Sequence, residues 1–138
     1  MAKNEDLKHA AHNEKVFLHL LPKTEFADWI VTTAFYAALH FADSKIFPIN
    51  YSEKGIQFKV SDMESYAVSA LNKFGNDKHV CRLKLVERHL RDVSFEFNWL
   101  HSTCKTARYN NYTFSDPDTI CKTAEEYLNK IKSFVKQK

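Results

Sequence analysis

A stripe of histidine and arginine is the first feature of this 138-residue chain that could do chemistry. His79, Arg82, Val86 and His89 follow i, i+3, i+7, i+10, a spacing that sets them along one side of a helix. Cleaving RNA without a metal needs three things: a base to take the proton from a 2′-hydroxyl, a cation to hold the phosphate as its charge develops, and an acid for the leaving 5′ oxygen. Histidine and arginine can fill all three roles. At a helical rise of about 1.5 Å per residue, His79 and His89 stand roughly 15 Å apart, so one phosphate does not touch both within a single chain. A two-fold dimer could bring one subunit's His89 towards the other's Arg82. Arg82, His89 and His79 are therefore the catalytic candidates. The plainer alternative is a solvated basic face, with Arg82, Lys84, Arg88 and Arg91 paired with Glu87 and Asp92 and His79 bonded to a neighbouring loop.

A second group reads as a ligand site. Arg108 and Tyr109, followed by Asn110, Asn111 and Tyr112, combine a phosphate-binding fork with two stackable rings, which suits a nucleotide or single-stranded RNA. The competing reading has Arg108 capping its own helix while the tyrosines close the core. Tyr36 and His40 interrupt an otherwise apolar segment and join the ligand-binding candidates. For His40 the alternative is a buried histidine bonded to a backbone carbonyl or to Tyr36, and for Tyr36 it is packing. No glycine-rich phosphate loop, HExxH or GxSxG occurs, and Asp43, Asp62, Glu64 and Glu87 are too scattered for a metal site. Cys81, Cys104 and Cys121 are odd in number and lack CxxC or Cys/His spacing, against a disulfide framework or structural zinc. No cofactor is expected.

The elements that must position these residues are helices. Gly55 and Gly75 are the only glycines, with Pro22, Pro48 and Pro117 the only prolines, too few turn-formers for an all-β sandwich. A hydrophobic content of 44%, with 11 Phe, 6 Tyr and 2 Trp, is enough for one real core. The net charge of +3 is spread along the chain apart from Lys130, Lys132, Lys136 and Lys138, and this permits nucleic-acid binding without indicating it. The polar start MAKNEDLKHAAHNEK and the absence of a long apolar run point to a cytoplasmic protein with no membrane partner.

The periodicity predicts a first helix from Asn4 to Leu21, stopped by Pro22, and then an N-cap at Thr24. Phe26 to Phe47, apolar on both faces, is the helix expected at the centre. Pro48 to Val60 reads as the one substantial loop and is expected to be the mobile element or lid. Ser61 with Glu64 forms a capping-box pattern for a helix through Leu71 that Gly75 ends. Asn76 and Asp77 cap the next helix, a change of phase at Arg91 to Val93 breaks it, and Val93, Phe97, Leu100, Cys104 and Ala107 resume the spacing. Asp116 and Pro117 open the last helix. The whole, residues 1–138, is expected to be one all-α domain, a compact up-and-down bundle of five to six helices.

Three segments together resemble the HEPN superfamily of small helical bundles. They are Trp29 through Tyr36-Ala-Ala-Leu-His40, His79-Val-Cys-Arg82, and Leu100 through Ala107-Arg108-Tyr109. The resemblance implies a bundle of four or five long helices, commonly dimeric. It also implies one of two roles: a metal-independent endoribonuclease of toxin or defence type, marked by an arginine, four to six residues and a histidine, or a nucleotide- or partner-binding module beside a nucleotidyltransferase or other effector. In nuclease members the motif would fall at Arg108, yet Tyr109 to Ser115 contains no histidine; Arg82 to His89 alone fits the formula. The reading drawn from this is a nucleotide- or RNA-associated helical module. It would be homodimeric and act with a partner such as an antitoxin or nucleotidyltransferase. A metal-independent endoribonuclease is the alternative, and a structural dimer meeting through Phe95 or Trp99 is a third.

Overall fold

In the computed structural model, which describes residues 2–109 and 113–137, six α-helices account for nearly all of the regular structure. They are α1 (Ala2–Leu20), α2 (Ala27–Ile46), α3 (Met63–Ala67), α4 (Lys78–His89), α5 (Ser94–Tyr109) and α6 (Pro117–Lys136). The protein is a predominantly all-α helical bundle, as the turn-poor composition requires. Among the described residues no helix is long and apolar enough to cross a membrane.

α2 is the centre of the bundle because its sequence leaves it no polar face. Ile30, Val31, Ala34, Phe35, Ala38, Phe41 and Ala42 are all buried, and α1, α4, α5 and α6 each pack on it. Trp29 on its first turn, 57% exposed, and Phe26 just before it, 44% exposed, are the exceptions. Around α2, single apolar stripes close the core: Phe17 of α1, Leu85 and Val86 of α4, Phe97 and Leu100 of α5, and Leu128 and Ile131 of α6.

Local signals set the helix ends. Asp77 caps α4, its carboxylate accepting from the His79 and Val80 N–H groups. Asp116 caps α6 ahead of Pro117. The phase change after α4 is a 3₁₀ turn over Arg91–Val93, which leads directly into α5.

Three expectations are corrected. Thr24 does not cap α2. It opens a 3₁₀ turn, Thr24–Phe26, with no side-chain capping bond. The cap of α3 is Asp62, which accepts from Ser65 N–H at 2.7 Å, rather than Ser61 paired with Glu64. α3 also ends at Ala67, because Ser69, Asn72 and the Tyr66 hydroxyl, bonded to the Leu71 carbonyl, tie the following residues into turns. Thirdly, the segment read as a loop, Pro48 to Val60, contains an antiparallel hairpin. β1 (Ile49–Glu53) pairs with β2 (Ile56–Val60), placing Tyr51 opposite Phe58 with ring centroids 5.2 Å apart. Lys54 and Gly55 both have positive φ, 53° and 79°, the backbone a two-residue hairpin turn with a right-handed strand twist demands.

Candidate functional site

The N-terminal end of α4 meets the C-terminal half of α5 over a buried ring of α2, and a cleft of about 260 Å³ opens there. α4 contributes His79 and Val80, with Asp77 just before it. α5 contributes His101, Cys104, Lys105 and Arg108, and α2 contributes Phe35 and Tyr36. Phe35, 2% exposed, is the floor. Its ring centroid lies 5.2 Å from His101, 6.2 Å from His79 and 5.7 Å from Phe97, so the two histidines rest on one rigid aromatic surface.

Neither histidine is near the other in sequence, yet their ring centroids are 5.3 Å apart. His101 follows the core residues Phe97 and Leu100 on α5, which turns it towards α4 and half buries it. His79, in the first turn of α4, is exposed as a residue, but the ring face towards Phe35 and His101 is shielded. Partial burial therefore holds both imidazoles below the ordinary histidine value. For His79 the positive charges of Arg82, Arg108 and Lys105 add to the effect, and for His101 those of His79, Lys105 and Arg82 do so. Asp77 works against the shift in both. The result is a pair of rings whose neutral forms are favoured beside cationic side chains.

The cations come from one face of α5. Lys105 and Arg108 are spaced i, i+3, and the Arg108 guanidinium donates to the Tyr36 hydroxyl at 2.7 Å while lying 5.9 Å from that ring's centroid. Tyr36 thus fixes Arg108 at the rim instead of letting it swing into solvent. Cys104, on the inner wall, hydrogen-bonds Thr32 Oγ1 at 3.7 Å, and burial pushes its thiol up, so it is a poor nucleophile.

The residues singled out by sequence divide sharply. His79, Tyr36 and Arg108 come together in this cleft. Arg82 points inward instead. It is 8% exposed and donates from Nε and Nη2 to the two Asp43 oxygens at 2.9 and 3.1 Å. The solvated basic face proposed for it is therefore replaced by a buried bidentate pair. Burial pushes the Asp43 carboxyl above its ordinary value, and the Arg82 charge opposes that push. His89 lies exposed in the last turn of α4, outside the cleft. Among the described residues His40 is bonded neither to a carbonyl nor to Tyr36. Its Nδ1 is 3.2 Å from Asp6 Oδ1, and its ring stacks on His9 with centroids 4.8 Å apart, at the α1–α2 contact. Tyr112 and the Tyr109 side chain lie outside the described residues.

His101 and Lys105 are the residues that sequence reasoning passed over. The signal was present: Leu100 and Cys104 mark the buried side of α5, and His101 and Lys105 each follow one of them by a single residue. Among the described residues no group of histidine, cysteine and carboxylate side chains could hold a metal. What the cleft offers is two imidazoles, two cations, a phenol, a thiol and an aromatic floor, with one carboxylate, Asp77, whose charge is engaged by the α4 N–H groups, a set matched to a phosphate ester carrying an aromatic or hydroxylated group. No family model, no curated protein and no solved structure matches this chain.

Proposed function

We propose that this protein binds the phosphodiester backbone of RNA in the α4–α5 cleft and cleaves it without a metal, with His79 and His101 as the base and acid. The observation that carries this reading is the His79–His101 pair, 5.3 Å between centroids, flanked by Lys105 and Arg108. One neutral imidazole takes the proton from the 2′-hydroxyl as its oxygen forms a bond to phosphorus. The other, protonated, gives its proton to the 5′ oxygen as the P–O5′ bond breaks. The ends left are a 2′,3′-cyclic phosphate and a 5′-hydroxyl. Lys105 and Arg108 hold the phosphoryl oxygens as charge builds on them. One of the two roles that the HEPN resemblance implies is this reaction class, though here the histidines come from α4 and mid-α5 and none lies between Tyr109 and Ser115.

Because both rings sit below the ordinary value of 6.5, the state with one proton shared between them is most populated on the acid side of neutrality. Maximal activity is expected below pH 6.5. The test is a mixed single-stranded RNA incubated with the protein in EDTA, beside His79→Ala, His101→Ala and Arg108→Ala. Loss of either imidazole should slow cleavage by at least about 100-fold. Cleavage at the wild-type rate by both histidine variants would sink the proposal. RNA binding without cleavage, lost on Arg108→Ala, would leave the non-catalytic module as the function.

A further inference from the structure

The cleft does not end at Val80. A second cavity of about 360 Å³ adjoins it, sharing Val80 and continuing along the same α4–α5 seam between Leu83, Lys84 and Glu87 of α4 and Ser94, Phe95 and Asn98 of α5. On α5, Phe95 stands six residues before His101, about 9 Å along the helix. The two cavities are therefore successive stations of one groove, with different chemistry. The first gathers Lys105 and Arg108. In the second, Lys84 lies 3.8 Å from Glu87, which cancels the charge, and what remains is an aromatic ring with an amide and a hydroxyl.

We propose, on the basis of the RNA-binding reading above, that this second cavity is a nucleobase subsite: Phe95 stacks a base adjoining the phosphate held at His79 and His101, and Asn98 and Ser94 hydrogen-bond its edge. Phe95 is 66% exposed, an expensive placement for a phenylalanine, and yet its ring is not loose. Tyr127 of α6 braces it in an edge contact, centroids 6.0 Å apart, and Trp99 packs on Tyr127 at 5.3 Å and 85°. A braced, exposed ring at the end of a cationic groove is how single-stranded nucleic acid is held: phosphates meet charge and bases meet π-faces. An amide and a hydroxyl beside the ring add donors and acceptors for a base edge. The strand polarity is set by which neighbouring base falls on Phe95, and the experiment reads it.

The probe is a 2′-O-methyl pentanucleotide, which has no free 2′-hydroxyl and cannot be cut, compared with a nucleoside 5′-monophosphate. The quantity measured is how much more tightly the pentanucleotide binds. Phe95→Ala should reduce that advantage about tenfold and Phe95→Trp should keep it. In the wild type, one abasic position along the pentanucleotide should cost as much as Phe95→Ala, with no further loss when the two are combined. An advantage unchanged in Phe95→Ala, with binding still lost on Arg108→Ala, overturns the subsite alone. Binding that neither variant changes overturns the phosphate site with it. If light scattering shows the mass halved by Phe95→Ala, the ring belongs to a contact between two copies, and the subsite is again overturned.

Discussion

Removing Arg82 should destabilise the fold and not act on the chemistry directly. Arg82 and Asp43 are 8% and 6% exposed, joined by two hydrogen bonds, and together they tie α4 to α2 in the core. In Arg82→Met the carboxyl is left buried without its cation, a change that costs about 3–5 kcal/mol for pairs of this kind. Asp43 softens the loss by taking up a proton, which burial already favours, so the lower end of that range applies. For a chain of this length, each kcal/mol moves the melting temperature by roughly 3–4 °C, so a fall of about 10 °C is expected. Asp43→Leu with Arg82→Met removes the orphan and leaves two apolar side chains of similar bulk, and its stability should return to within about 1 kcal/mol of wild type. Thermal and urea denaturation followed by circular dichroism would measure both. A double variant as unstable as the single one would refute the electrostatic argument. Arg82→Met at wild-type stability but without RNA cleavage would refute the structural role and restore Arg82 as catalytic.

Stability should depend on pH through the two cleft histidines. With folded values below 6.5, the unfolded chain takes protons first as pH drops. Their contribution is therefore fully present above 6.5 and is lost as pH falls from there towards the folded values. Urea midpoints between about pH 7.5 and 5 should decline, and His101→Ala should flatten the decline; an unchanged slope would count against the shielding of these rings. The thiols should be inert in the native state: Cys121, pushed up to about 11 by burial and Asp118, and buried Cys104 should react with a disulfide reagent at mildly alkaline pH only after denaturation. Rapid labelling of Cys121 in native protein would contradict its burial.

Much of the bundle was legible because helices announce themselves locally. The doubly apolar α2, the Asp77 and Asp116 caps and the break at Arg91 each depend on residues within a turn or two of one another. The hairpin was missed because Gly55 and Asn50 look like loop residues. The alternation Ile49, Tyr51 against Phe58, Val60 becomes a signal only once the Lys54–Gly55 turn sets the register. α3 was overextended because the side chains of Ser69 and Asn72, which draw the backbone into turns, carry no helical penalty strong enough to read. The site was half legible. His79, Tyr36 and Arg108 stood out as polar residues at helix ends or on an apolar helix. Arg82 was misread as surface because its partner is 39 residues away, and His101 was overlooked because its value comes from α4 lying alongside α5.

A helix that is apolar all round cannot be left waiting. α2 is made early, and α1 covers only one of its sides, while the Lys45 ammonium donates to a carbonyl at Gln137, 92 residues on, and Lys132 of α6 reaches back 118 residues to Glu14. During synthesis a nascent chain holding α1 and α2 therefore displays much of Phe35, Phe41 and their neighbours to the ribosome surface and to other chains until α5 and α6 emerge. Folding of the bundle is therefore deferred until α6 has been made, an interval in which exposed apolar surface favours aggregation.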